Sequence, residues 1–149
     1  MKDNKFKKEK VKIIDILLFI IYCLFLIYIL FLRRSKNISV KYNIVPFKTY
    51  IEYFTKIINS SIDIKTAILN FIANIFLFVP MGYFLPKIFK KVNSFNKTTI
   101  ISMLIIILIE VMQYITKLGI ADIDDVILNT IGAMIGYKIQ VELKSNFTT

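Results

Sequence analysis

The chain has 149 residues, of which 56% are hydrophobic, and it carries a formal net charge of +10. This apolar share exceeds that of an ordinary soluble domain and indicates a membrane protein without a separate soluble domain. The charge favours contact with anionic headgroups over binding of nucleic acid, because lysines that flank apolar helices set their orientation. The absence of histidine excludes serine–histidine–acid catalysis and histidine-ligated zinc.

Four apolar runs predict an all-α fold, an integral membrane four-helix bundle. They lie at residues 13–32, 68–85, 100–115 and 126–141. A spanning helix needs about 20 apolar residues, with a range of roughly 17–25, so the first two runs suffice and the last two need flanking residues. The first run is longer than a signal-peptide core and is followed by Arg33-Arg34-Ser35-Lys36, so we expect it to be retained. Cys23, the single cysteine, lies in this run and allows no internal disulfide.

The distribution of basic residues predicts that the N-terminus lies in the cytoplasm. Four spans place both termini on one side of the membrane, and the densest lysine cluster precedes the first span. We therefore expect a multi-pass protein with both termini in the cytoplasm. The predicted divisions are a basic cytoplasmic N-terminus (1–12), a membrane domain (13–141) and a cytoplasmic tail (142–149).

An additional amphipathic helix is predicted in the first outer loop, which runs from residue 33 to about residue 67. Its apolar residues recur at helical spacing: Phe47, Tyr50, Ile51, Phe54, Ile57 and Ile58. Pro46 stands where a first-turn proline is tolerated. The pattern fits an interfacial helix in the headgroup plane and, equally, a helix packed flat over the bundle. In either position it would cover the outer ends of the other helices.

The unusual polar residues gather on one side of the membrane. Under the predicted topology these residues lie in the outer leaflet or at its surface: Asn70, Asn74, Glu110, Gln113, Asp122, Asp124, Asp125 and Asn129. Residues three or four apart share a helix face, so Asn70 lies on the same face as Asn74, and Glu110 on the same face as Gln113. Inverting the topology would move the whole set together. We predict that this set is a polar functional cluster.

Each member also has a structural interpretation. Asn70 and Asn74 are suited to hydrogen bonds with neighbouring helices. Asp122 fits a helix N-cap, with an acid three residues later as in a capping box. Glu110 is either protonated or paired with Lys117, two turns along the same face. We favour a functional role for Glu110, because an ionisable group in a span is costly.

Small residues and a proline mark helix packing. Gly132 and Gly136 form a G-x-x-x-G pair, which allows two helices to approach closely. We assign the pair to helix packing, with an oligomer seam as the alternative. Pro80 and Gly82 predict that the second span kinks, or loses its regular hydrogen bonding, in its inner half.

Four motifs follow one another along the chain. They are Asn43-Ile44-Val45-Pro46-Phe47, Asn70-x3-Asn74-x3-Phe78-x-Pro80-x-Gly82, Glu110-x2-Gln113, and Asp122-Ile123-Asp124-Asp125-x3-Asn129-x2-Gly132-x3-Gly136. In this order, over roughly residues 38–141, they resemble the VanZ-like family. Many members carry an arginine after the glycine that precedes the acidic motif. Gly119 is followed by Ile120 here, so no role of that arginine is carried over.

The resemblance implies a small bacterial cell-membrane protein, whose namesake contributes to resistance against teicoplanin-type glycopeptide antibiotics. Our first hypothesis is a non-enzymatic protein that binds an envelope lipid or a lipidated drug at the outer leaflet. The expected partners are membrane lipids, a lipid-linked envelope precursor or a lipoglycopeptide, with no nucleic acid and no cofactor.

Two other functions stay open. One is a membrane-embedded enzyme acting on a lipid-linked substrate, in which the acids Glu110, Asp122, Asp124 and Asp125 would hold a hard divalent cation. No nucleophile motif or phosphate-binding loop supports this reading, and no metal is assigned. The other is a transport or assembly subunit that forms a homo-oligomer through the face of Gly132 and Gly136.

Overall fold

The computed structural model describes residues 2–33, 42–59 and 63–146, with side chains from residue 12 onward. Most side chains of the N-terminal lysine cluster, part of the first loop (34–41 and 60–62) and the end of the predicted tail (147–149) lie outside this range. The predicted orientation depends on those basic residues and stays a prediction.

The described residues form five α-helices and one pair of very short strands. The helices are α1 (Lys2–Ile27), α2 (Lys48–Ile58), α3 (Ile64–Ile88), α4 (Phe95–Thr116) and α5 (Ile123–Asn146), and α1 continues into a π-helical turn, Tyr28–Leu32. Strand β1 (Tyr42–Asn43) pairs in parallel with β2 (Ala121–Asp122), so that Asn43 lies opposite Asp122. This pairing holds the first loop against the start of α5.

Three of the described helical segments are long and apolar enough to cross a membrane, namely Lys12–Leu32, Ile64–Ile88 and Phe95–Thr116. This confirms a mainly helical fold of the membrane type. The helix α5 is not among these segments, although its 24 residues would reach about 36 Å at a rise of about 1.5 Å per residue. Two acids in its first turn and several polar residues beyond Gly136 lower its apolar character. The number of spans stays a prediction.

The helices α3 and α5 share the largest interface, and glycines bring their backbones into contact. A Cβ on Gly132 would overlap the carbonyl oxygen of Ile75, and one on Gly136 would overlap that of Val79. Both pairs advance by four residues, so the two helices run in the same direction. The face of Gly132 and Gly136 is filled by α3 within one chain. This contact agrees with the assignment of the pair to helix packing, and a homo-oligomer stays a prediction.

Pro80 does not end α3, which continues to Ile88 and contains Pro86 as well. A membrane helix tolerates proline where a neighbouring group takes up the weakened backbone hydrogen bonding. Pro80 has no N–H for the carbonyl oxygen of Phe76, and the hydroxyl of Tyr22 on α1 donates to the adjacent carbonyl oxygen, that of Leu77, at 2.9 Å. The turn before the proline is thus a contact point with α1.

Candidate functional site

The predicted polar residues meet at one end of the bundle. This end comprises the first turns of α3, the last turns of α4, the paired strands and the start of α5, with α2 beside them. The arrangement follows from the alternating direction of the helices, which brings the N-termini of α3 and α5 to the C-terminus of α4. How each residue contributes depends on what its side chain contacts.

Glu110 supports the start of α5. Its side chain is only 6% exposed, and Oε2 accepts the backbone N–H of Asp122 at 3.2 Å. In a capping box that N–H would be satisfied by an acid three residues along the same helix. The acceptor comes here from α4, so Glu110 fixes one helix onto another. Lys117, the alternative partner, lies at the C-cap of α4 in a left-handed conformation and is exposed.

Asp122 acts as the N-cap that the sequence predicts. It precedes the first residue of α5, and its Oδ1 accepts the backbone N–H of Asp124 at 2.9 Å. The same oxygen accepts Asn43 Nδ2 at 2.9 Å, and Oδ2 accepts the hydroxyl of Thr49. One buried carboxylate therefore joins the first loop, the start of α2 and the start of α5.

Asp124 caps a different helix from its own. It is 1% exposed, and its two oxygens accept the backbone N–H groups of Phe47 at 2.5 Å and of Thr49 at 3.0 Å. These groups belong to the N-terminus of α2, whose N-cap residue Phe47 makes no side-chain cap bond and has φ of 66°. The first N–H groups of a helix have no intrahelical partner. The helix α2 therefore depends on α5 for its cap.

The motif Asn43, Pro46 and Phe47 forms one docking loop. The oxygen of Asn43 accepts the backbone N–H of Val45 at 3.2 Å, and its nitrogen donates to Thr49 Oγ1 at 3.1 Å. An asparagine that bonds the backbone two residues on stabilises a turn. Pro46 precedes the N-cap of α2, so the predicted first-turn position is wrong by two residues, because Phe47 takes up the left-handed turn before the helix.

A polar cavity of about 640 Å³ lies between α2 and the end of the bundle. It is lined by Tyr42, Asn43, Lys48, Thr49, Glu52, Tyr53, Lys56, Asn70, Asn74, Ile120, Asp122 and Asp125. Asn74 donates to Asp125 at 2.5 Å, and Asn70 donates to the hydroxyl of Tyr53 at 3.3 Å. Four members of the predicted cluster line this polar cavity, and Glu110 and Asp124 support its walls.

Gln113 and Asn129 are not part of the cavity lining. Gln113 is buried and donates to the carbonyl oxygen of Leu30 at 3.3 Å, which joins α4 to the π-helical turn that follows α1. Asn129 is 4% exposed within α5, and its Oδ1 has no hydrogen-bond partner among the residues that the structure describes. Of the predicted cluster, Gln113 and Asn129 therefore lie outside the cavity, and the other six residues line it or support its walls.

Comparison with known proteins agrees with the order of these motifs. The family model described as VanZ/LLP1 matches residues 19–144. The chain belongs to the VanZ-like family. This confirms the resemblance and extends it from the first loop to α1. Among curated proteins, "Protein VanZ" of Enterococcus faecium is 34% identical over 68 residues, which is 46% of this chain and 42% of that protein. The alignment thus spans less than half of that relative. No solved structure matches.

The four acids of this VanZ-like protein do not converge on a metal position. Among residues 12–33, 42–59 and 63–146, no group of three or more acidic or cysteine side chains is arranged to hold a metal ion. Both oxygens of Asp124 accept hydrogen bonds from backbone N–H groups at the start of α2. The oxygens of Asp122 accept hydrogen bonds from Asn43, from Thr49 and from the first turn of α5. The carboxylates act as hydrogen-bond acceptors for the protein itself.

Sequence reasoning placed α2 over this end of the VanZ-like protein but did not assign its polar residues to the site. Lys48, Glu52 and Lys56 recur every four residues, and this spacing was a signal for one polar wall. Thr49 carried no signal, because its importance comes from two acids more than seventy residues away. Asp15, within the first apolar run, was also missed. It pairs with Lys87 at 2.7 Å near the opposite end of the bundle.

Tyr50 lies beside the acids of the cavity wall. Burial, followed by the nearby carboxylates of Asp125, Asp124 and Asp122, raises the pKa of Tyr50 above its ordinary value. Both effects disfavour the phenolate, because it would lose hydration and face negative charge. Tyr50 is therefore neutral at physiological pH and packs edge-on against Phe71, with ring centroids 5.5 Å apart.

Proposed function

We propose that this VanZ-like protein is a non-enzymatic protein of the bacterial cell membrane that binds an envelope lipid, or the lipid part of a lipoglycopeptide antibiotic, at the outer leaflet. Holding such a molecule would limit access of the drug to its target. The observation that carries the proposal is the polar cavity of about 640 Å³ between α2 and the end of the bundle. Ligand pockets commonly fall between about 300 and 1,000 Å³.

The second support is the exposed apolar side of α2. Phe47, Ile51, Phe54 and Ile58 follow one helix face and are 62–66% exposed. A helix that directs an apolar stripe away from the protein and a charged face towards a cavity suits the headgroup region of a membrane. In this proposal α2 lies in the headgroup plane and forms one wall of the cavity. A lipid would reach the cavity without leaving the membrane.

The proposed orientation follows the basic residues of the sequence. With the N-terminus in the cytoplasm, the end of the bundle that holds the cavity faces the cell wall. Labelling from outside intact cells tests this arrangement with Lys117→Cys and Lys91→Cys in a Cys23→Ser background, since both lysines are exposed. Labelling at 117 alone is expected. Labelling at 91 alone would place the cavity in the cytoplasmic leaflet and refute drug interception.

The function is tested by drug susceptibility. The chain is expressed in a susceptible host, and the inhibitory concentrations of teicoplanin and of a glycopeptide without an acyl chain are compared. We expect protection against teicoplanin, and its loss in Glu110→Gln and Asp125→Asn at unchanged membrane levels. Glu142→Gln, at the exposed far end of α5, is the matched control. Full resistance in both Glu110→Gln and Asp125→Asn would refute the proposal.

The alternative is a membrane-embedded enzyme that acts on a lipid-linked substrate through carboxylates and a divalent metal. The hydrogen bonds of Asp122 and Asp124 give it no support, since these oxygens already contact backbone and side-chain donors. Purified protein that converts a lipid-linked substrate only with divalent metal present, and not with EDTA, would favour the enzyme.

A further inference from the structure

The charged side chains that line the polar cavity differ between its two walls. The wall formed by α2 carries Lys48 and Lys56, whereas the opposite wall carries Asp122 and Asp125. Glu52 stands between the two lysines and lies 3.9 Å from Lys56 Nζ. Within the part of the chain that the structure describes, Lys48 has no ion-pair partner. The α2 wall thus carries two lysines and one carboxylate that is paired with Lys56, and the opposite wall carries carboxylates alone.

The hydrogen-bonding groups on the bundle side are mainly acceptors. Asn70 and Asn74 each donate through Nδ2, to Tyr53 and to Asp125, so their amide oxygens remain as acceptors beside the carboxylates. A primary ammonium carries three N–H donors and no acceptor, and it suits such a wall. A lysine ammonium on α2 suits the complementary group, a phosphate.

We infer that the cavity binds the headgroup of an amphiphile that carries both a phosphodiester and a primary ammonium. This inference rests on the proposed function and names the ligand class of its site. The phosphodiester contacts Lys48 and Lys56, and the ammonium donates to Asp125 and to the amide oxygens of Asn70 and Asn74. The carboxylates would repel a purely anionic headgroup, and the lysines would repel a purely cationic one.

The acyl chains of such an amphiphile have an apolar path beside the cavity. On α3, Ile68, Phe71 and Ile72 are 41–50% exposed. They lie in the same helical turns as Asn70 and Asn74 or in the adjacent ones. The headgroup and its chains would therefore contact α3 at neighbouring turns. Phosphatidylethanolamine and aminoacylated phosphatidylglycerol share this headgroup chemistry.

The test is lipid retention by the delipidated full-length protein in neutral detergent, measured by native mass spectrometry. The probes are phosphatidylethanolamine, lysyl-phosphatidylglycerol, phosphatidylcholine and phosphatidylglycerol. Phosphatidylcholine is the critical comparison, because it keeps both charges but its quaternary nitrogen has no N–H donor. We expect the two primary amines to be retained about tenfold more strongly than phosphatidylcholine and phosphatidylglycerol. The amine lipid that is retained more strongly identifies which of the two lipid classes is the source of the headgroup.

Variants assign the two walls. Lys48→Ala combined with Lys56→Ala should lower retention of both amine lipids about tenfold, and Asn70→Ala should narrow the preference over phosphatidylcholine. These residues are exposed, so the variants should fold. Lys90→Ala combined with Lys91→Ala, at the other end of the bundle, is the matched control and should change nothing.

Equal retention of phosphatidylethanolamine and phosphatidylcholine, a preference for phosphatidylglycerol, or amine retention unaffected by the lysine variants would each overturn the inference. Resistance measurements separate it from the proposed function. If the amine preference is absent while Glu110→Gln and Asp125→Asn still abolish resistance, the ligand class is wrong and the function stands. If the preference is present and those variants keep full resistance, the function is wrong and the ligand class stands.

Discussion

Asp124→Asn is expected to release α2 from the bundle while the bundle stays folded. The carboxylate accepts two backbone N–H groups from the N-terminus of α2, and α2 has no buried residue of its own. Asparagine keeps one oxygen but places an NH₂ group where the second oxygen meets an N–H donor. The substitution thus removes one charge-assisted hydrogen bond and places the new NH₂ group against a backbone N–H, so that two donors face each other.

The size of the effect follows from these contacts. A hydrogen bond to a charged group contributes about 1.5–3 kcal/mol net, and a helix cap about 0.5–2 kcal/mol. Asp124 is 1% exposed, so solvent does not screen the loss. We expect the opening of α2 to become easier by about 2–3 kcal/mol, which is roughly a 30- to 140-fold increase in the open fraction.

Hydrogen–deuterium exchange of the protein in lipid nanodiscs measures this opening. Peptides that cover Lys48–Ile58 should exchange roughly 30- to 140-fold faster in the variant, and peptides from α3 and α5 should not change. Asp63→Asn is the matched control, because Asp63 precedes α3, is exposed and makes no side-chain cap bond. Unchanged exchange in α2, or equal acceleration in all helices, would refute the assignment of Asp124 as the cap of α2.

Three further predictions concern the rest of the molecule. Gly136→Ala should lower stability towards SDS by about 1–3 kcal/mol, because the added methyl overlaps the backbone of α3 at Val79; an unchanged midpoint would contradict that contact. Asp15→Asn should cost about 1.5 kcal/mol in the same assay through loss of the pair with Lys87, and the charge-swapped double variant should recover part of it. Tyr50 should stay protonated at pH 10.5, because its pKa in the folded protein is raised. The contribution of the protonated phenol to stability is complete below the ordinary tyrosine pKa of about 10 and is lost as the pH rises above it. Native wild type and Tyr50→Phe should then show equal tyrosinate absorbance at that pH, and a difference of one tyrosinate would disprove the shift.

The helices were predictable because their signals are local. Apolar runs and the period of α2 gave five helices, although the structural bounds extend past the runs at most ends. Alternating helix direction then sufficed to gather Asn74, Glu110 and Asp125 at one end. Pro80 does not end α3, which continues to Ile88, and the kink that Pro80 and Gly82 predict stays a prediction.

The assignment of roles within the site was not predictable in the same way. The sequence offers Asp122 and Asp125 as a capping box within α5, whereas the N–H of Asp122 is satisfied by Glu110 and Asp125 accepts a hydrogen bond from Asn74. Asp124 caps a helix that begins more than seventy residues earlier. Such pairings depend on the relative placement of helices, which residue spacing within one segment does not encode.

The buried face of α4 bears on how the protein enters a membrane. Apart from Ile106, its buried residues are polar: Thr98, Ser102, Glu110 and Gln113. Inserted alone, α4 would present this face to lipid, where ionisable groups cost about 2.5–3.5 kcal/mol at the centre of a helix and less near its ends. The N–H group that Glu110 accepts belongs to Asp122, just before α5 and only six residues after the end of α4. We therefore expect α4 and α5 to leave the insertion machinery together as a hairpin.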